Sequence, residues 1–476
     1  MTPKPPKPRR SIALLPARRL AEAVLAPVER FLKIEAASGF ILLITALVAL
    51  LWANSPWASS YERLWQVPIS VGVGRWVLNE SLHFWINDFL MAIFFLVVGL
   101  EIKRELADGA LSDVRRAALP VAAAAGGMVV PAMIYLAFNV GEPGSSGWGV
   151  PMATDIAFAV GVLSLLGKRV PVALRVLLLA LAIIDDIGAI LVIAVFYSGN
   201  INWTGAWYVV GGVAAMVALY RGGVRPGYAF VAPGLVVWGG MLQFGIHPAI
   251  AGVLVGLMTP AKPLFSRERF LKVAHQAVDD FDKRSDQGVL GHDLLEPLYK
   301  LAQARREAVS PALRLQGAMH PWVAFAIMPL FALANAGVNL DGIGFEGDGS
   351  FAVFAGIVAG LAIGKPVGIV AVSWLAVRLG LCVLPAGVNW RGILTMGMVA
   401  GIGFTMAIFI VELAFQDPSL ALGGIAKLGV LVGTAIAAVA GLILGRAVLQ
   451  GDERLELSDL TEADVEASTD YWTTGH

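Results

Sequence analysis

Long apolar stretches, most near the length a helix needs to cross a bilayer, recur between residues 36 and 447 with few charges inside them. Spanning the hydrocarbon core takes about 20 apolar residues. The stretches lie near 36–53, 85–102, 117–138, 150–166, 171–197, 204–220, 228–243, 247–259, 320–338, 351–376, 391–413 and 423–447. The seventh and eighth are short and divided around Gly245-Ile246-His247-Pro248. Hydrophobic residues make up 57% of the chain and charged residues 15%, where a soluble domain has about 45–50% and about 25%. So much apolar surface cannot all be hidden from water, and lipid is the natural solvent. The expected fold is an all-α membrane protein with about 12 transmembrane helices.

The net charge is 0, from 35 basic and 35 acidic residues, so nothing points to nucleic acid, and the distribution of charge matters more. Lys and Arg gather before the first span, between the second and third (Lys103, Arg104, Arg115, Arg116), the fourth and fifth (Lys168, Arg169) and the sixth and seventh (Arg221, Arg225). They recur through 260–319 and at Arg378. The alternate loops 139–149, 198–203, 244–246, 339–350 and 414–422 have none, and 54–84 has Arg63 and Arg75. Basic loops mark the cytoplasmic side, so both termini are expected inside. The single cysteine, Cys382, excludes an intrachain disulfide and argues against a structural zinc cluster.

Three regions read as lying outside the membrane besides a basic, Pro-rich arm over 1–35 without a signal-peptide pattern. Residues 54–84 form an outer loop in which Tyr61–Val77 is β-prone around Val-Gly-Val-Gly, as in a hairpin. Residues 260–319 form a cytoplasmic loop; Leu294–Arg306 has an amphipathic pattern, and the plainer reading is a solvated connector. Residues 451–476 are acidic and rich in Ser and Thr, a composition of disordered tails. The transmembrane domain is thus expected over 36–450.

An ionisable residue at the centre of a span costs about 2.5–3.5 kcal/mol on insertion scales and is a functional candidate by default. Asp155 lies in the fourth span, Asp185 and Asp186 are adjacent in the fifth, and Lys365 lies in the tenth. A single membrane carboxylate often does no more than pair with another helix. Three acids with one lysine cannot all be paired that way. At least one must hold a proton or an external cation, and oxygen donors suit hard cations such as Na⁺, Mg²⁺ or Ca²⁺. A site that takes either is what an ion–proton exchanger needs.

The fourth span contains Pro151-Met152-Ala153-Thr154-Asp155 and the eleventh contains Gly401-Ile402-Gly403-Phe404-Thr405. Gly, Pro and Thr allow a helix to unwind locally. Both spans are the middle members of three-span groups, third to fifth and tenth to twelfth, and an odd count allows the groups to be inverted copies. Paired interrupted spans in matching positions mark a transporter's substrate site. An acid such as Asp155 suits the positive N-termini of half-helices, and Lys365 suits a negative C-terminus. For either span alone, glycines that only permit close packing would explain the pattern.

These residues resemble the NhaA family of bacterial Na⁺/H⁺ antiporters. The likeness is carried by Thr154-Asp155-Ile-Ala-Phe-Ala, Ile183-Ile184-Asp185-Asp186-Ile187-Gly188, Gly364-Lys365-Pro366 and Gly401-Ile402-Gly403-Phe404-Thr405-Met406. Asn87-Asp88, Phe94-Phe95, Gly99-Leu100-Glu101, Arg104-Glu105, His320-Pro321-Trp322 and Asn335-Ala336-Gly337 add to it, in order, over roughly 36–450. NhaA transporters are themselves a standing example of inverted repeats and broken helices, so these features come with the resemblance as well as from the residues.

The resemblance implies an inner-membrane, multi-pass transporter that expels Na⁺ (or Li⁺) in exchange for H⁺ by alternating access, for sodium and pH homeostasis. It implies no cofactor and a homodimer formed partly through the outer hairpin. Asp186 would carry the cation and proton, sharing the Na⁺ site with Asp185, which pairs with Lys365 when no cation is bound. Thr154 and Asp155 would lie at the fourth-span break, and Gly401 and Gly403 at the eleventh. Glu101 and Arg104 would lie near a cytoplasmic funnel, with Glu105 and His247 influencing the pH response. One departure is Gln316, where well-studied relatives carry a Glu four residues before the His of His-Pro-Trp. Other classes fit less well. An intramembrane aspartyl protease lacks its Gly-x-Gly-Asp signature here. An ATP-driven pump lacks a Walker A sequence, since Lys365 is followed by Pro366. A channel is separated from an exchanger by proton counterflow.

Overall fold

The computed structural model describes residues 37–449, except 75, 110, 200, 224–226, 287–291, 341–348, 386 and 417–421. The N-terminal arm and the acidic tail expected from the sequence lie outside the described residues. Among the described residues seven helices are long and apolar enough to cross a membrane, and three more candidates are bent pairs. Two shorter apolar helices complete a set of twelve segments, numbered here in chain order. Segment 1 is Ala37–Ala53, 2 is Leu82–Ala107, 3 is Val114–Asn139, and 4 is the pair Pro143–Met152 and Ile156–Ser164. Segment 5 is Val172–Phe196, 6 is Trp203–Arg221, and the short ones are 7, Val231–Phe244, and 8, Ala249–Met258. Segment 9 is Pro311–Asn335, 10 is Ser350–Arg378, 11 is the pair Trp390–Ala400 and Phe404–Ala414, and 12 is Leu422–Val448.

The chain packs as two modules. Segments 3, 4, 5, 10, 11 and 12 pack on one another, with segment 3 against 10 and segment 10 against 12 as major contacts. Segments 2, 6, 7, 8 and 9 form the other, led by segment 2 against 8 and 6 against 7. Small residues make the closest approaches. A Cβ on Gly126 of segment 3 would strike the carbonyl of Gly368 on segment 10, and the reverse also holds. Backbones that approach this closely gain dispersion contacts that lipid cannot supply. A seam separates the modules, where segment 2 meets segment 5 and the last turns of segment 9 meet the second half of segment 11.

Strands β1 (Pro68–Val73) and β2 (Trp76–Ser81) pair antiparallel, Pro68 opposite Ser81, in the loop before segment 2. Segment 9 begins at Pro311 rather than near 320. Ser310 caps it by accepting the Leu313 amide, and Pro311 occupies the first turn. The polar Arg314 and Gln316 lower the local hydropathy there without ending the helix. In the connector before it, Arg267–Asp286 and His292–Ala308 form two helices packed against each other. Arg284 and Lys300 both pair with Glu296, at 2.9 and 2.8 Å. Much of the connector is thus a pair of largely solvent-exposed helices, and the amphipathic stretch Leu294–Arg306 lies within the second.

Candidate functional site

Two chain breaks cross at the centre of the first module. In segment 4 the helix stops after Met152; Ala153 and Asp155 are extended, and a new helix starts at Ile156 with Asp155 as its cap. In segment 11 the helix stops at Ala400 and restarts at Phe404. Each pair bends by 48°. The Asp155 amide donates to the Ile402 carbonyl at 2.7 Å, so each break satisfies backbone groups freed by the other. Glycine is needed for this approach. A Cβ at Gly401 would collide with the Leu361 carbonyl, and one at Gly403 would sit 3.0 Å from the Ala153 carbonyl.

The central charges are arranged on these breaks. Lys365 follows a wide π-turn at Gly360–Gly364 in segment 10 and is fully buried. Its Nζ donates to the Met152 carbonyl at 2.5 Å and lies 2.9 Å from Asp185 Oδ2. Met152 ends the first half of segment 4, so the ammonium sits at the negative end of that half-helix. Asp155 does the opposite. Its Oδ1 accepts the Phe158 amide at 3.0 Å, and its Oδ2 accepts the Thr405 amide at 3.1 Å and the Thr405 hydroxyl. One carboxylate therefore caps the N-termini of both second halves.

Asp185 and Asp186 sit in segment 5 opposite the crossing. The Thr154 hydroxyl lies 2.6 Å from Asp185 Oδ2 and 3.0 Å from the Ala400 carbonyl. Its one proton goes to a single acceptor at a time, and the shorter contact to a charged oxygen is the stronger. Asp185 Oδ1 is buried with no hydrogen-bond partner. Asp186, one residue on, is turned about 100° around the helix and is only 3% exposed. Among the described residues no hydrogen bond or ion pair reaches it. Its electrostatic neighbours are Asp185, Glu101 of segment 2, Asp155 and Lys365. The carboxylate thus lies beside the seam, with one ammonium for three acids. The described residues hold no group of three or more His, Cys, Asp and Glu placed to hold a metal ion. Asp185, Asp186 and Thr154 instead offer oxygen alone, a donor set for a hard cation in transit.

The remaining candidates fall into two places. Arg104 Nη2 pairs with Glu105 Oε1 at 2.8 Å and with Glu101 Oε1 at 3.6 Å, forming one cluster near the end of segment 2. His247 is not in it. Its Nε2 lies 3.4 Å from Asp88 Oδ1, and its Nδ1 accepts the Ala249 amide at 3.3 Å. Asp88 stands about 20 Å along segment 2 from Glu101, at the other end. Gln316 is buried in the first half of segment 9, its Oε1 without a hydrogen-bond partner. Sequence reasoning missed the Thr405 side chain as a partner of Asp155 and the Met152 carbonyl as a partner of Lys365. The first had a signal: a hydroxyl two residues after Gly403 falls in the first turn of the new half-helix. The second had none, because a backbone carbonyl has no sequence signature.

Two crossed, broken helices at the core of a module, with an acid on their positive ends and a lysine on a negative one, define a secondary transporter, not an enzyme. Comparison with known proteins narrows the class. The profile of the Na⁺/H⁺ antiporter 1 family matches residues 29–444. The chain is 57% identical over 457 residues to Na(+)/H(+) antiporter NhaA 2 of Sorangium cellulosum, covering 96% of this chain and 97% of that protein. It is 54% identical over 430 residues to Na(+)/H(+) antiporter NhaA of Cupriavidus necator, covering 90% and 92%. With the NhaA of Bartonella henselae it shares 46% over 429 residues, 90% and 94% of the two chains. The chain belongs to the Na⁺/H⁺ antiporter 1 family, that of the NhaA antiporters, and is a multi-pass membrane protein.

Proposed function

We propose that the protein exchanges Na⁺ or Li⁺ for H⁺ across the cytoplasmic membrane, with both ions competing for the carboxylates of Asp185 and Asp186. The observation that carries this is Asp186, a buried acid beside the seam that has no hydrogen-bond donor and no ion-pair partner among the described residues. Protonated, it has little attraction for Na⁺. Deprotonated, it is an anionic ligand beside the partnerless Asp185 Oδ1. Binding of either ion weakens the other, and the effect is reciprocal. In the empty site Lys365 holds Asp185; a bound cation takes its place there. Asp155 and Thr154 keep the crossing in shape. Glu101, Arg104 and Glu105 form the approach from the cytoplasm, and His247 acts from the opposite end through Asp88.

In this reading both termini are cytoplasmic and the modules rock about the seam to expose the site to each side in turn. The hairpin β1–β2, with unpaired strand edges, is the expected contact of a homodimer. The test is proton release. Na⁺ added to purified protein in weak buffer should liberate protons, and apparent Na⁺ affinity should rise with pH and then level off. Asp186→Asn should abolish both while leaving the protein folded. A flat affinity from acid to alkaline pH would overturn the proposal. In vesicles, saturable proton counterflow separates an exchanger from a channel.

A further inference from the structure

Segment 11 restarts at Phe404, and its second half, Phe404–Ala414, leads to the loop 414–422, which has no Lys or Arg and so lies on the outer side. The first turn of this half-helix belongs to the site, because Asp155 accepts the Thr405 amide and hydroxyl. The next turn reaches across the seam. Phe409, only 1% exposed, enters the other module and meets three of its rings. Their centroids stand 5.5 Å away at Phe95 of segment 2, 6.1 Å at Phe331 of segment 9 and 5.2 Å at His247, just before segment 8. The interplanar angles are 49°, 64° and 89°, so none of the three stacks flat on it.

The socket is fixed within its own module. Phe95 and Phe331 are buried, and Phe94 lies edge-on to Phe95 at 5.1 Å. His247 is held at both ring nitrogens, Nε2 beside Asp88 Oδ1 at 3.4 Å and Nδ1 accepting the Ala249 amide. The plug is fixed within the first module. Phe409 follows Thr405 by four residues, about 6 Å along the helix axis, so it moves with the turn that Asp155 caps. A gap of about 0.5–1 Å already forfeits about a quarter to a half of a dispersion contact. A ring in this aromatic tier is therefore either seated or out, and packed interfaces of that kind switch between two states rather than yielding gradually.

We propose that Phe409 is the gate residue of the outer path: seated between Phe95, Phe331 and His247 it shuts the seam to the outside, and its withdrawal opens it. The inference rests on alternating access at Asp186 and names the side chain that sets how often the site faces outward. The plug and the turn capped by Asp155 share one half-helix, so unseating Phe409 and shifting the crossing are one movement. Each aromatic pair weights an equilibrium by about two- to twelvefold. Removing the ring should therefore move the protein toward the outward-open state by about ten- to a hundredfold. Leucine refills part of the socket and should move it less.

The test measures apparent Na⁺ affinity separately at each face of the full chain, in right-side-out and inverted vesicles with equal pH on both sides. A ligand's apparent affinity falls with the fraction of protein able to bind it, so a scarce outward-open state reads as weak affinity from outside. Phe409→Ala should raise affinity at the outer face by about ten- to a hundredfold, with no gain at the cytoplasmic face. Phe331→Ala breaks the same contact from the other module and should give a gain of the same one-sided kind. The double variant should gain less than the two single effects combined, since they share one contact. A fold defect or a damaged site would not raise affinity on one face alone. No one-sided gain in the two alanine variants, or an equal gain at both faces, would overturn the gate. Na⁺-induced proton release in detergent should persist in the variants, and its absence from the unaltered protein would overturn antiport itself, a failure distinct from that of the gate.

Discussion

At the scale of single residues, Lys365 has two tasks that a mutation separates. Its ammonium balances Asp185 and also caps the Met152 carbonyl. Removing one member of a buried ion pair costs about 3–5 kcal/mol, and protonation of the orphaned acid recovers part of that. Lys365→Ala should therefore lower the melting temperature in detergent, more at alkaline than at acid pH, with a residual loss in acid from the uncapped carbonyl. Equal melting of both proteins at each pH would rule the pair out as a stabiliser. Asp155→Asn should slow exchange without ending it, because the amide keeps one acceptor oxygen for either the Phe158 or the Thr405 amide, while the second acceptor and the charge at two half-helix ends are lost. Gln316 cannot titrate. Gln316→Glu puts an acid at a buried position of segment 9, and should shift the pH at which exchange switches on; an unchanged profile would reject any pH-sensing part for it. The charges themselves were legible in the sequence, since an ion in an apolar run has few innocent explanations. Their partners were legible only in part. The sequence places Asp155 and Lys365 at half-helix ends, but the carbonyls and amides they meet belong to backbone, and the pairing of His247 with Asp88 has no signature in the sequence.

At the scale of elements, close contact between helices is concentrated where glycine allows it. Gly368→Ala on segment 10 would press a methyl into the Gly126 carbonyl of segment 3, and overpacking of this kind costs about 1–3 kcal/mol. The melting temperature should fall. Gly401→Ala would press instead on the Leu361 carbonyl beside the crossing, so exchange should fall by a larger factor than in Gly368→Ala at a similar loss of stability. Parallel measurements of melting and initial rate on the two variants decide this. If both lose rate in proportion to stability, the crossing has no special sensitivity. Breaks in segments 4 and 11 could be read from Pro151, Gly401 and Gly403 because those residues weaken a helix ladder. The π-turns at Trp85–Leu90, Val323–Ile327 and Gly360–Gly364 could not, since a wide turn is imposed by packing and has no required residue. Nor could the aromatic tier on Phe409, because a Phe inside an apolar run reads the same whether it meets lipid or another helix.

At the scale of the whole molecule, the two three-segment groups are seven segments apart in the chain, so if every segment crosses, they run in opposite directions. That is the geometry that lets Met152 and Thr405, at opposite kinds of half-helix end, meet Lys365 and Asp155 at one crossing. It also makes the topology a strict requirement: if one segment fails to cross, the groups become parallel copies and the crossing cannot form. The short segments 7 and 8 are where this could fail, since neither reaches the length of a span, and they separate the two groups. Distribution of Lys and Arg puts both ends of the pair on one side, because the loops flanking it, at Arg221 and through 260–319, are basic, so segments 7 and 8 cross together or not at all and in either case leave the two groups opposed. Two positions test this in a Cys382→Ser background. Ser59 is exposed on the short helix Ala58–Trp65 before the hairpin, and Asp279 is exposed on the helix Arg267–Asp286 after segment 8. A cysteine at 59 should react with a membrane-impermeant maleimide only from outside, and one at 279 only from the cytoplasm. Labelling of both from one side would mean an even number of crossings between them, and the inverted arrangement around Asp155 and Lys365 would have to be abandoned.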